Sequence, residues 1–235
     1  MTGGARGIGH AVASLLVREG ARVSILSRSP AHERTSPFFL VRADLTDRET
    51  IPPAFAACRE ANGPIAVLVN NAGVAESAPL VRTSDALWDR TIATNLTGTF
   101  LCTRQVIEEM IAAHWGRIVN IASTAGLEGA PYISAYCASK HGVVGFTRAI
   151  AAELTGTGVT ANAVCPGYTE TEMMQRAIEN ITTRTGRSEA STRELMAQGN
   201  PEGRIATAGE VAQAVRALID GAQSGVAIVV PSAAS

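Results

Sequence analysis

Short, nearly unbroken apolar runs alternate along the chain with longer tracts whose apolar residues recur every three or four positions. The runs at residues 21–27, 38–43, 65–69, 117–122, 159–165 and 226–230 read as strands, and continuous apolarity is what a parallel strand covered on both faces requires. Helical spacing falls between them. Ile8, Val12, Leu15 and Leu16 form one stripe over residues 8–19, which Gly20 stops. Further helices are expected at about 47–61, 84–114, 134–154 and 207–220, with two helical tracts inside 168–203. Pro52 and Pro53 fit only an early turn, so the 47–61 helix should start late or distorted. Asn95 falls within the 84–114 helix, where it is unfavourable unless its side chain is used or a kink frees a carbonyl. Residues 29–37 form a polar loop with two prolines. Strands alternating with helices make an α/β protein with a doubly wound parallel sheet.

The amino end carries Thr2-Gly-Gly-Ala-Arg-Gly-Ile-Gly9 directly before the first helix. Glycines there let the backbone approach a pyrophosphate seated on the helix amino terminus; a purely structural turn is the alternative. Strand, glycine turn, helix, strand is the unit of a dinucleotide site, yet its first strand is missing, since only Met1 precedes Thr2. About five more residues are expected there, which implies a natural start further upstream, another segment in the slot, or a different use of the turn. Arg28 follows the next strand and Arg6 lies in the turn, with no acid nearby. Arginine suits a ribose 2′-phosphate, so NADP(H) is expected over NAD(H). The alternative is two solvated surface arginines. Asp44, ending the third strand, either accepts from an adenine amino group or serves the turn, with Thr46-Asp47 capping the next helix. Asn70-Asn71-Ala72-Gly73 closes the fourth strand; its amides can hold backbone and leave room for a ribose.

A strand ending at Ala122 delivers Ser123 to the edge where open α/β sheets place ligands. Tyr136 and Lys140 stand one turn apart on the following helix. A free phenol titrates near pH ~10, a neighbouring ammonium lowers that value, and the phenol then exchanges protons near neutrality. The Ser123 hydroxyl can hold the substrate oxygen meanwhile.

Taken in order, Thr2-Gly3…Gly7-Ile8-Gly9, Asp44, Asn70-Asn71-Ala72-Gly73, Asn95, Ser123, Tyr136-x-x-x-Lys140 and Pro166-Gly167…Thr171 resemble the short-chain dehydrogenase/reductase family over nearly the whole chain. The likeness is greatest to 3-oxoacyl thioester reductases and related secondary-alcohol dehydrogenases. It implies an NAD(P)-dependent oxidoreductase on a Rossmann-type sheet ordered 3-2-1-4-5-6-7. It further implies that Tyr136 donates and accepts the proton, that Lys140 lowers its pKa and binds the nicotinamide ribose, that Ser123 orients the carbonyl, and that Asn95 holds a water relaying protons to Lys140. The same likeness places the pyrophosphate on Gly3, Gly7, Ile8 and Gly9, the adenine on Asp44 and Leu45, and the adenosine-side ribose region on Asn71, Ala72 and Gly73. Pro166, Gly167, Thr169 and Thr171 would fix the nicotinamide. Residues 168–203 correspond to a substrate lid, in which Met173, Met174 and Ile178 either wall the substrate or pack the lid to the body.

Composition narrows the setting. The 235 residues suit one domain, and a formal net charge of −1 without a basic block argues against a nucleic-acid partner. Cys58, Cys102, Cys137 and Cys165 form no CxxC pair and read as free thiols of a reducing compartment. No signal segment or bilayer-length apolar run is present, so a cytoplasmic protein without membrane attachment is expected. The four histidines, His10, His32, His114 and His141, lack metal-ligand spacing, and no metal is assigned. Ala138, Gly142, Gly145 and Ala149 form a small-residue stripe for a partner subunit or the chain's own sheet, and a homo-oligomer, dimer or tetramer, is expected. The tail Pro231-Ser-Ala-Ala-Ser235 lacks the family's Gly-Gly segment, which bears on the tetramer. The rival functions are an NAD-linked dehydrogenase acting toward oxidation and a non-catalytic nucleotide sensor or scaffold.

Overall fold

Parallel pairing builds one side of the sheet from β1 (Ser24–Ser27) and β2 (Phe39–Arg42), and the other from β3 (Val67–Asn70), β4 (Gly116–Ile121), β5 (Val159–Pro166) and β6 (Ala227–Val230) in that order. Registers include Leu26 with Val41, Val69 with Val119, Val119 with Asn162, and Val164 with Ile228. The structure, a computed structural model, describes residues 1–28 and 37–230. The polar loop expected at 29–37, apart from Pro37, and the tail 231–235 lie outside the described residues.

The two sides join through Thr2, which bridges Leu26 and Asn70, both parallel. Thr2 N donates to Val69 O at 3.0 Å, Gly3 N to Leu26 O at 2.8 Å, and Leu26 N to Met1 O at 2.9 Å. As expected, no strand precedes α1 among the described residues; Thr2 alone lies between the two sides through one isolated bridge to each, and the order across the sheet is β2, β1, Thr2, β3, β4, β5, β6. The Met1 ammonium is buried there, donating to Ser24 O at 2.6 Å, and burial lowers its pKa.

Helices cover both faces. On one, α1 (Gly7–Arg18) and α8 (Ala208–Asp220) place Val12, Leu15, Val211 and Val215 against Val69, Val119, Ile121 and Val164. On the other, α2 (Ile51–Asn62), α4 (Gly98–Ala112) and α5 (Ser134–Glu153) surround Phe55, Leu101, Val106, Ile118 and Ile150. β5 lies at the middle of this sandwich and all eight of its residues are buried. The strands at the two edges, with β1 and β3, run shorter than their apolar runs because pairing needs a neighbour: β2 offers only four residues, so the β1 ladder reaches back no further than Val23 O, which accepts from Phe39 N at 2.9 Å.

Pro52 and Pro53 sit in the first turn of α2, behind a 3₁₀ turn at Arg48–Thr50 whose cap is Asp47 accepting from Glu49 N. The largely helical stretch expected at 84–114 is present, with an irregularity inside it at Asn95. α3 (Asp85–Ile92) passes into α4 through a π turn, Ala93–Thr97, with Asn95 at its centre. α6 (Glu172–Thr185) and α7 (Glu189–Gln198) are the two tracts expected in 168–203. Of the small stripe on α5, Gly142 accommodates Leu96 from the π turn, while Ala138, Gly145 and Ala149 are exposed.

Candidate active site

Ser123 follows β4 by two residues and caps the short turn Thr124–Gly126, accepting from Ala125 N at 3.2 Å. Tyr136 and Lys140 project from the first two turns of α5. Lys140 is buried; its Nζ donates to Ile121 O at 2.7 Å and lies 5.6 Å from the Tyr136 ring centroid. The Cys165 thiol is buried at the same place, close enough to feel both the Ser123 backbone and the Lys140 charge. One hydroxyl, one phenol and one ammonium thus converge at the carboxyl ends of β4 and β5.

Their electrostatics differ from the expectation. Burial raises the Tyr136 pKa, with the Ser123 hydroxyl pulling it back down, and burial lowers that of Lys140 to about 8. The anticipated lowering of the phenol by the lysine is not the dominant effect here. Lys140 faces a neutral carbonyl and Tyr136 a neutral hydroxyl, so desolvation decides both shifts.

The glycine turn is clamped from below. Thr2 Oγ1 accepts from Asn71 N and Ala72 N, each at 3.1 Å, while Asn71 Nδ2 donates to Gly3 O at 2.7 Å. A Cβ on Gly9 would stand 2.4 Å from Gly3 O, so only glycine allows α1 to pack onto the turn. α1 begins without a side-chain cap and without an acid in its first turn, which leaves its first N–H groups for an anionic ligand. These residues fit a dinucleotide pyrophosphate.

The remaining expected residues divide. Asp44 Oδ1 accepts from Thr46 N and Thr46 Oγ1 at 2.9 and 2.8 Å, and the Thr46 N–H lowers its pKa first, so the carboxylate serves its own turn, with Leu45 buried beside it. Arg28 is exposed at the end of β1 and its charge also reaches Asp44. Arg6 pairs with Glu172 of α6, Nη1 to Oε2 at 2.8 Å. Thr169 Oγ1 donates to Gly167 O, and Thr171 caps α6 by accepting from Met174 N. Met174 and Ile178 pack with Met196 inside the lid, while Met173 is exposed. Asn70 lies away from the site, in the core, donating to Thr103 and Asn120. Asn95 grips Val74, accepting from its N at 2.8 Å and donating to its O at 2.9 Å; a Cβ on Gly73 would lie 3.3 Å from Asn95 Oδ1 and 3.7 Å from Lys140 Nζ, so the two groups face one small space.

Three residues escaped the sequence reading. Ser139 touches Asn95; its place three residues after Tyr136 on the same helix was the available signal. Asn200 holds Tyr168 from across the lid, and Glu172 holds Arg6; neither has a local signature. Among the described residues no three His, Cys, Asp or Glu side chains gather as a metal site, and no helix is long and apolar enough to cross a membrane.

A parallel nucleotide-binding sheet with a Ser–Tyr–Lys cluster at its carboxyl edge defines a pyridine-nucleotide oxidoreductase. The profile of the family described as short chain dehydrogenase matches residues 1–182, and the chain belongs to that family of NAD(P)-dependent oxidoreductases. It is 38% identical over 229 residues to 2-(S)-hydroxypropyl-CoM dehydrogenase 3 of Xanthobacter autotrophicus, covering 93% of this chain and 88% of that one. It is 37% identical over 218 residues to the 3-oxoacyl-(acyl-carrier-protein) reductase MabA of Mycobacterium avium, covering 93% and 80%. Among solved structures, an actinorhodin polyketide ketoreductase variant with NADPH superposes with a TM-score of 0.91 at 38% identity, covering 97% of this chain and 93% of that one. A ligand-free aldohexose dehydrogenase of Thermoplasma acidophilum gives 0.90 at 30% identity, covering 97% and 90%.

Proposed function

We propose that this protein is an NADP(H)-dependent ketoreductase that interconverts a ketone and a secondary alcohol, the ketone being a 3-oxoacyl thioester or a cyclic or aryl ketone. The convergence of Ser123, Tyr136 and Lys140 beside the glycine cradle carries this reading. The bound nicotinamide supplies the hydride. Ser123 holds the carbonyl oxygen and Tyr136 donates the proton to it. Lys140, with a pKa of about 8, is charged at neutral pH and stabilises the phenolate left behind. Asn95 serves the proton path to Lys140 from the space beside Gly73.

Arg6 and Arg28 favour the 2′-phosphate of NADP(H), in keeping with the NADPH named for the ketoreductase structure. A second reading, an NAD-linked dehydrogenase acting toward oxidation, draws on the hydroxypropyl-CoM and D-beta-hydroxybutyrate dehydrogenases among the relatives. The non-catalytic reading is disfavoured because the serine, tyrosine and lysine are all present. The proposal includes one domain over residues 1–235 with the lid at 168–203, a cytoplasmic setting, and a homo-oligomer without nucleic-acid or membrane partners.

The test is a ketone panel assayed with NADPH and NADH on the native chain and Tyr136→Phe. The expected result is faster turnover with NADPH in the native chain, and no turnover but retained NADPH binding in the variant. Turnover retained by Tyr136→Phe overturns the mechanism.

A further inference from the structure

Asn95 is held at the centre of the Ala93–Thr97 π turn with 1% of its surface exposed, and its amide has no free proton. One Nδ2 proton goes to Val74 O at 2.9 Å and the other to Ser139 Oγ at 3.0 Å, while Oδ1 accepts from Val74 N at 2.8 Å. Exchanging the amide's oxygen and nitrogen would set N–H against N–H at Val74, so the orientation is unique. Ser139 is fully buried, and because its oxygen accepts from Asn95 its own proton goes to Tyr136 O at 2.8 Å. A one-way chain therefore runs from the Asn95 amide through the Ser139 hydroxyl to the Tyr136 carbonyl.

Every other contact around this chain sets the same spacing. Leu96, next to Asn95, fills the notch at Gly142 on α5. Thr99 Oγ1 donates to Asn95 O at 2.8 Å, steadying the π turn from the α4 side. Lys140, next to Ser139, is anchored on Ile121 O, and Asn95 Oδ1 and Lys140 Nζ look into the same space beside Gly73. Among the described residues, Ser139 is the one side chain that hydrogen-bonds both the asparagine and the turn of α5 that bears Tyr136 and Lys140.

We infer that Ser139 is a positioning residue for proton transfer: its hydroxyl locks the Asn95 amide and, through it, the geometry between Asn95, Lys140 and Tyr136. This deepens the proposed function and rests on the assignment of proton chemistry to Tyr136. A purely packing role for Ser139 would require only its volume. A positioning role requires an oxygen that accepts and donates in one direction, because without it a buried N–H of Asn95 loses its partner and the amide is held from the Val74 side alone.

The experiment compares Ser139→Ala, Ser139→Cys, Ser139→Thr, Asn95→Ala and the Ser139→Ala/Asn95→Ala double variant, reading kcat, the KM of ketone and NADPH, and the pH dependence of kcat. Ser139→Ala lowers kcat by about tenfold or more, moves the pH profile, and leaves both KM values within about twofold. Ser139→Thr, which keeps the hydroxyl, retains more activity than Ser139→Ala. In the Asn95→Ala background, removing Ser139 as well changes kcat by less than about twofold, since both act through one chain. If Ser139→Ala does not fold, Ser139→Cys carries the same comparison, because it fills the site while weakening the hydrogen bond. An unchanged kcat and pH profile in the folded variant, or losses that add in the double variant, overturn the inference. Activity surviving in Tyr136→Phe overturns the underlying chemistry instead, so the two failures are distinguishable.

Discussion

Arg6 of the glycine turn and Glu172 at the start of the lid are joined at 2.8 Å, so the cofactor cradle and the substrate cover share an ion pair. Both side chains are about 60% exposed, 60% and 59%, and such a pair adds at most about 1 kcal/mol to folding. Its consequence lies in binding, because Glu172 neutralises a cation that an anionic ligand would use. Glu172→Gln should tighten NADPH about threefold or more and NADH by less than about twofold, with thermal stability unchanged. In an Arg6→Gln background the effect of Glu172→Gln should vanish. Calorimetric titration of the four proteins decides it, and weaker NADPH binding by Glu172→Gln would show that the pair straps the cofactor instead.

Lys140 should make stability depend on pH. Its folded pKa of about 8 lies below the ordinary 10.5 because it is buried. Between those values the unfolded chain binds more protons, so this group's contribution rises with pH across that window; below it the penalty is constant. The shift corresponds to about 3 kcal/mol. Lys140→Met should therefore resist urea better than the native chain at pH 7 and lose that advantage by about pH 10.5. A variant less stable at pH 7, with no convergence at high pH, would contradict the burial penalty.

Asn200 bolts the lid to its own base. Its Oδ1 accepts from Tyr168 N at 2.7 Å, and its Nδ2 donates to Tyr168 O at 2.8 Å and Arg204 O at 2.7 Å. Replacing it with alanine strands buried polar groups at a cost of about 2–3 kcal/mol. Limited proteolysis should then cut Asn200→Ala within 168–203 faster than the native chain, and the KM for ketone should rise. Equal cleavage rates would remove Asn200 from any role in holding the lid.

Phe55 provides a contrast away from the site. It is 2% exposed in the layer formed by α2 and α4. Phe55→Ala should lower the unfolding free energy by about 3–5 kcal/mol while leaving NADPH affinity in the folded protein unchanged. Denaturant titration and cofactor titration separate the two effects.

Local order was readable from the chain wherever neighbours along it carry the information. The spacing of Tyr136 and Lys140, the proline-distorted start of α2 and the cap at Asp47 follow from one helix turn, a missing N–H and a side-chain oxygen. Asn95 showed that something unusual happened within residues 84–114, although not that it was a π turn. β4 and β5 have the extent expected to within a residue at either end, whereas the runs at 21–27, 38–43, 65–69 and 226–230 exceed their strands, because an apolar run records burial whereas a strand also needs a partner of equal length.

By itself, the sequence determined the alternation of elements, the chemical groups available and the order in which they meet the sheet edge. Tertiary structure decided what those groups feel and hold. Thr2 bridges Leu26 and Asn70 only because β1 and β3 stand on either side. The phenol rises and the ammonium falls because both are buried beside neutral partners. Arg6 meets Glu172, and Ser139 meets Asn95, across 166 and 44 residues of chain. Desolvation and contact between distant segments depend on the packed volume, and no periodicity along the chain encodes them.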